Sequence, residues 1–292
     1  MKKIKKKIGD RYDGRRVRKC DPLNVVIPYV MSARHDSQVL FDTEIDIDKV
    51  NAYIADKRQT YKDIGLLDFL ITAMVRTISQ YPRINRFIAG QKLFARDEIC
   101  FSMVVKKELN INTPETTIKV KFEPDATIFD VSKQLRDLIA SNKGVDKKNN
   151  TDNFVKILIG TPGFILKFIV DSIKCLDYFG IMPRFIHRLS PFHSSVFITN
   201  MGSIGAMPIY HHLYDFGTTS IFIAFGTRTK KIQLDRENNV SEKKILSIRF
   251  VADERIGDGF YLSSAMKYLN NLFNNPSNLE LPPEKIVEDE QI

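Results

Sequence analysis

Cysteine is scarce. Cys20, Cys100 and Cys175 are the only three in 292 residues, far apart and with no C-x-x-C pair. An odd, scattered set of this kind argues against a disulfide framework or a zinc ribbon and points to a reducing cytoplasm. The start, M-K-K-I-K-K-K-I-G-D, lacks the apolar stretch of a secretory signal. No run approaches the roughly 18 uncharged apolar residues of a membrane span. The phosphate-cradling G-x-x-x-x-G-K-S/T, the dinucleotide G-x-G-x-x-G, the zinc pair H-E-x-x-H and the nucleophile turn G-x-S-x-G are all missing, so those four chemistries lose their usual handle. Histidine numbers only five. The adjacent His211 and His212 would point to opposite faces of an extended chain, a poor chelate, and no metal site is expected. There is neither an internal repeat nor a low-complexity block.

What is present is a globular core and one unevenly placed charge. Twenty Phe within 43% hydrophobic residues supply enough apolar surface to fold one large domain. The formal charge of +9 sits almost wholly in residues 1–19, where six Lys and four Arg face only Asp10 and Asp13. The folded body is therefore nearly neutral, and specific nucleic-acid binding is not expected of it. Residues 1–19 read as a basic tail, able to touch RNA, anionic lipid or an acidic partner, or simply to solubilise the start of the chain. Residues 279–292 read as an acidic tail, leaving 20–278 as the domain.

Periodicity places the elements. Val39–Asp48 alternates with Phe41, Thr43, Ile45 and Ile47 on one face, as a half-buried strand does. Leu67, Leu70, Ile71, Met74 and Ile78 recur at the helical period before Pro82. Strands are predicted at about 99–105 and 116–122. A helix follows at about 128–141, with Thr127 as cap and Gly144 just beyond its end. Polar residues 143–153 suggest an internal loop. Strands return at 195–199, 220–226 and 245–252, and a last helix covers about 260–273. Strands and helices mix without strict alternation, so an α/β sandwich with a mixed sheet fits better than a barrel.

Residues 154–186 are unusually apolar. Within 164–180 the charges Lys167, Asp171, Lys174 and Asp177 fall at spacings of four, three and three. That defines one narrow polar stripe on an otherwise apolar helix. Two readings stand: burial between subunits or under a loop, and contact with a membrane surface through 1–19 and 164–180. The stripe carries balanced charge, which favours the first.

Two segments could carry chemistry. Phe197–Gly205, F-I-T-N-M-G-S-I-G, is a strand entering a glycine-rich turn. Ile245–Phe260, I-L-S-I-R-F-V-A-D-E-R-I-G-D-G-F, is a strand ending in a charged turn that opens a helix. Each alone has a plain structural meaning: the glycines permit tight turns and Asp258 could cap the helix. Together, in this order, they resemble the catalytic domain of the dihydrolipoyl acyltransferases of 2-oxo acid dehydrogenase complexes. They are also similar to chloramphenicol acetyltransferase, which shares that fold. Those families carry a strand followed by H-x-x-x-D-G, with a T/S-N-x-G turn upstream. The D-T-E-I-D-I strand, its following helix and Tyr81-Pro82-Arg83-Ile84-Asn85 agree, so the resemblance spans roughly residues 20–275.

The resemblance implies a chloramphenicol acetyltransferase-like α/β two-layer sandwich with a mixed β-sheet. It also implies CoA or acyl-CoA as co-substrate and sites shared between subunits of a homotrimer in the cytoplasm. In the family the motif histidine is the general base and a hydroxyl donates to the tetrahedral oxyanion. Thr199 matches that hydroxyl, with Ser203 competing and Asn200 beside them, and Asp258 and Gly259 match the D-G. Where the family has histidine, this chain has Glu254. A carboxylate near pKa 4.3 is a weak base toward a thiol near 8.5, although burial could raise it. Three explanations stay open: Glu254 serves a different acceptor; His193, His211 or His212 replaces the missing base; or transfer is lost and a trimeric binding or scaffold protein remains. Nothing before residue 40 is long enough for a lipoyl or subunit-binding domain. Which arginine meets Asp258 is open among Arg15, Arg16, Arg18 and Arg34.

Overall fold

The computed structural model describes residues 6–106, 115–142, 160–234 and 237–292. The alternating stretches become the strands of one six-stranded sheet, ordered β2-β9-β8-β7-β5-β6. Its members are β2 (Gln38–Asp46), β5 (Ile99–Lys106), β6 (Glu115–Phe122), β7 (Val196–Asn200), β8 (Ile221–Leu234) and β9 (Val240–Asp253). β7 runs parallel to both β5 and β8, while the other pairings are antiparallel. The sheet is therefore mixed, as the sequence suggested. A second sheet, β1-β4-β3, joins Gly14–Arg16 to the hairpin of β3 (Arg86–Ala89) and β4 (Lys92–Arg96).

Among the described residues there are seven α-helices: α1 (Pro22–Val30), α2 (Asp48–Lys57), α3 (Leu66–Gln80), α4 (Ile128–Asn142), α5 (Gly163–Tyr178), α6 (Arg184–Leu189) and α7 (Gly259–Asn274). α2, α3, α4 and α7 contribute Ile54, Phe69, Leu135 and Phe273 to one core with Phe101, Ile198, Ile223 and Phe250 of the sheet. α3 departs from its one-faced pattern, for every residue from Asp68 to Ser79 is buried. Its polar face is covered too: Arg136 of α4 pairs with Asp68 at 2.7 Å, and Arg76 donates to the carbonyls of Asn278 and Leu281. Burying a Phe or Leu side chain is worth roughly 1.5–3 kcal/mol, so this central helix anchors the helical layer. Thr127 caps α4 as expected, its hydroxyl accepting from the Asp130 N–H at 3.3 Å while Asp130 accepts from the Thr127 N–H at 2.9 Å. Gly144 and the rest of the loop predicted at 143–153 lie outside the described residues.

Three expectations need correction. The described part of the basic start, from residue 6 on, is built into the body: Arg11, Asp13, Gly14 and Val17 are buried, and Val17 packs on Ile88, Leu93 and Ala95. The acidic end docks as well. Asp289 forms a buried two-pronged pair with Arg86 at 2.6 and 2.7 Å, and Gln291 O accepts from the N–H groups of Arg18 and Lys19. The charges of the two ends are met by the body of the domain, Arg11 by Asp177 and Asp289 by Arg86, while backbone hydrogen bonds join one end to the other. In α5, finally, Asp177 does not share the exposed stripe of Lys167, Asp171 and Lys174. It is the one buried residue of that helix, held by Arg11 at 2.6 Å and His193 at 3.2 Å, because a carboxylate pointing inward can meet two bases there. The rest of α5 is exposed or half-buried, with Phe164 and Phe168 three-quarters exposed. Among the described residues no helix is long and apolar enough to cross a membrane.

Candidate active site

β7 delivers the hydroxyl segment. Thr199, half-buried, pairs with Ala224 at the C-terminal end of the strand. Asn200 follows and caps a 3-10 turn over Met201–Ile204, its Oδ1 accepting from the Ser203 N–H at 3.1 Å. The Ser203 hydroxyl donates back to Asn200 O at 2.8 Å. Two of the three candidate polar groups are therefore spent on shaping the turn. Thr199 Oγ1 has no hydrogen-bond partner among the described residues and keeps its proton to donate. Gly202 is required here, since a Cβ would lie 2.6 Å from Gly226 O on β8.

β9 delivers the charged turn. Glu254 opens a 3-10 turn, Glu254–Ile256, and projects into solvent without an ion pair among the described residues. The turn beneath it is clamped by buried charge. Asp253 accepts from Arg255 Nε and Nη2 at 2.7 Å each, from the Ser37 hydroxyl at 3.0 Å, and has Arg34 Nε at 3.5 Å. Arg34 also donates to the carbonyls of Tyr214, Gly217 and Ile88, and Arg255 donates to Met31 O. Burial pushes the Arg34 guanidinium below its usual range, opposed mainly by Asp253. Arg34, one of the arginines considered for Asp258, has thus gone to Asp253 instead, five residues earlier in the chain. Asp258 has the plain role foreseen for it, capping α7 by accepting from the Tyr261 N–H at 2.8 Å.

Glu254 and Thr199 do not meet within one chain. Val196, Ile221 and Ala252 are register neighbours across β7, β8 and β9. Thr199 lies three residues beyond that level in one direction and Glu254 two residues beyond it in the other. At about 3.3 Å per residue the two are separated by roughly 16 Å along the strands alone.

The histidines do not gather around Glu254 either. His193 is sealed, with Nδ1 2.7 Å from Ser190 Oγ and Nε2 3.2 Å from Asp177. Burial, outweighing the pull of Asp177, pushes it down to about 4, so it is neutral at neutral pH. His211 stacks on Phe222 with ring centroids 4.4 Å apart, and burial lowers its pKa; exposed His212 leans edge-on against Tyr214. Among the described residues no group of His, Cys, Asp and Glu is arranged to hold a metal ion.

Beside the Glu254 turn lies a cavity of about 330 Å³ lined by Arg34, Gly90, Lys174, Tyr178, Asp215 and Arg255. Gly90, at φ +55°, lets the end of α5 come within 2.4 Å of where its Cβ would stand. Sequence reasoning missed this clamp and cavity. Asp253 and Arg255 are visible in D-E-R-I-G-D-G, but nothing there shows that they face each other under Glu254, or that Arg34 arrives from a distance of more than two hundred residues.

No protein-family model matches the chain, and no curated protein matches its sequence. Solved structures do match. A dihydrolipoamide acetyltransferase of Azotobacter vinelandii, investigated for the catalytic roles of a serine, a histidine and an asparagine, is 13% identical with a TM-score of 0.59, over 88% of this chain and 91% of that one. The cubic core of a pyruvate dehydrogenase multienzyme complex is 12% identical with a TM-score of 0.52, over 89% and 88%. A chloramphenicol acetyltransferase is 12% identical with a TM-score of 0.53, over 86% and 94%. Likeness at this identity is one of fold. The chain has the chloramphenicol acetyltransferase-like α/β fold and resembles the dihydrolipoamide acetyltransferase cores, as its two motif segments implied.

Proposed function

We propose that this protein binds acyl-CoA or another acyl thioester, with its site completed between copies of a homotrimer. The observation that carries this reading is the separation of its two halves. A free Thr199 hydroxyl and a rigidly mounted Glu254 sit at opposite ends of the sheet, and only a second copy can bring one against the other. The fold's likeness to the cubic core of a multienzyme complex supports assembly of that kind. Exposed Phe164, Phe168 and Phe179 on and after α5 offer apolar surface to cover.

In the shared site an acceptor thiol, hydroxyl or amine attacks the thioester carbonyl and gives its proton to the Glu254 carboxylate. The carbonyl oxygen becomes an oxyanion, to which Thr199 donates. Collapse breaks the carbon–sulfur bond, and the departing thiolate recovers the proton from Glu254. A second reading is a trimeric scaffold without turnover. It is favoured by the missing motif histidine and by the burial of His193, which keeps that ring from substituting for it. The cytoplasm is the compartment in which either role would be played.

Calorimetric titration with CoA, acetyl-CoA and a long-chain acyl-CoA tests the first reading. Saturable binding weakened by Thr199→Val or Glu254→Ala is expected, from a protein that scatters light as a trimer. A folded trimer that binds none of the three leaves the scaffold. If turnover is found, Glu254→His should alter it; if none is found in either protein, the site is not catalytic. An anionic lipid surface could cover α5 instead of a second copy, and vesicle co-sedimentation at low salt distinguishes the two occupants.

A further inference from the structure

At the edge of the large sheet, on the face turned away from the helical layer, lies a cavity of about 180 Å³ lined by Asp13, Arg96, Glu98, Cys100, Lys119, Lys121, His187 and Arg188. Its carboxylates are already engaged. Asp13 is held by Arg11 at 2.9 Å with His187 Nε2 at 3.3 Å, and Glu98 pairs with Lys121 at 2.8 Å. Three cations are left without a carboxylate partner among the described residues: Arg96, Lys119 and Arg188.

Arg96 is the most telling of these. It is more than nine-tenths buried, its guanidinium lies 4.4 Å from the Phe87 ring, and Nη2 donates to Thr218 O and Oγ1. Its Nε is buried with no hydrogen-bond partner among the described residues. A buried charged donor left unmet is costly. Lys119 reaches in from β6, across from Ser102 on β5, and donates only to the carbonyls of His187 and Ser190, at 3.0 and 3.4 Å. Arg188 stands exposed at the rim on α6.

We propose that this cavity binds a small oxyanion, a phosphate or a carboxylate group, between the Arg96 guanidinium, the Lys119 ammonium and the Arg188 guanidinium. One anion supplies the counter-charge that the pocket's own carboxylates do not. The volume admits a tetrahedral oxyanion with one or two waters, each needing about 30 Å³. Burial pushes Lys119 down to about 8, with Cys100, Asp13 and Glu98 pulling upward and Arg96 pushing further down. A bound anion favours the protonated amine, so the site takes up a proton as it fills above that pH. His187, which burial keeps below its usual range, adds no charge at neutral pH.

The test is calorimetric titration of the full chain with inorganic phosphate, sulfate and acetate at constant ionic strength. Saturable binding of one anion per chain is expected, and the preferred probe tells phosphate chemistry from carboxylate chemistry. Lys119→Gln and Arg96→Gln should each weaken it about tenfold, the worth of one charged hydrogen bond. Arg188→Gln should weaken it about threefold without disturbing the fold, since that side chain is exposed. Affinity should fall about tenfold per pH unit above pH 8 in the native protein and not in Lys119→Gln. Absence of saturable binding by all three probes overturns the proposal. So does binding that Lys119→Gln and Arg188→Gln leave unchanged. Neither result bears on thioester binding, which uses a different part of the molecule.

Discussion

At the Glu254 end of the sheet, charge is buried: Asp253, Arg34 and Arg255 lie under the turn and tie it to β3, to the start of the chain and to the segment before β8. At the Thr199 end nothing charged is involved, and the turn is held by the Asn200 side chain, one serine hydroxyl and the close approach of Gly202 to β8. The two ends show two ways of fixing a short turn. Buried ions link distant segments at high cost if one is lost, whereas local hydrogen bonds fix only their own residues and can be lost cheaply. A side chain that must be presented with fixed geometry to another molecule gains most from the first arrangement.

The comparison can be broken at its strong end. Asp253→Ala removes the one carboxylate between two buried guanidinium groups and should cost about 3–5 kcal/mol in urea unfolding. A loss under about 1 kcal/mol would mean that water reaches the clamp. A second large effect belongs to the neighbouring buried network. His193 is neutral in the folded chain, pushed down to about 4, but titrates near 6.5 when unfolded. Between those values the unfolded state binds the extra proton. Its contribution is therefore complete above about pH 6.5 and is lost as the pH falls toward 4, by up to about 3 kcal/mol. Asp177, pushed down to about 2 despite burial, adds a loss of the same sign at still lower pH. Unfolding midpoints measured against pH should show the slope, and His193→Gln should flatten it between pH 6.5 and 4.

Smaller effects sharpen the contrast. Asp258→Ala deletes the cap of α7 and should cost about 1 kcal/mol in urea unfolding. Ser203→Ala at the weak end should stay within about 0.5 kcal/mol. If it instead costs as much as Asp253→Ala, the two ends are not built differently.

Much of the fold was legible because its signals are local. Alternation from Phe41 to Ile47 and the period of α3 report which side of an element is apolar, and Thr127 three residues before Asp130 reports a helix start. The strand–turn pairs F-I-T-N-M-G-S-I-G and D-E-R-I-G-D-G likewise announced the fold. The short elements β1, β3, β4 and α6 were not legible, since three to six residues carry too little periodicity. Nor was the docking of both chain ends. Arg11 and Asp289 read as tail charges until the fold shows Asp177 and Arg86 waiting for them.

The sequence by itself determined most of the longer elements, their order and the residue types placed at the two turns, because hydrophobic period and turn chemistry act over a few residues. Only the tertiary structure decided which charges are buried together, that Arg34 clamps Asp253 and not Asp258, and that Thr199 and Glu254 face opposite ends of one sheet. Those outcomes depend on strand register and on desolvation, and both arise only when segments far apart in the chain are brought side by side.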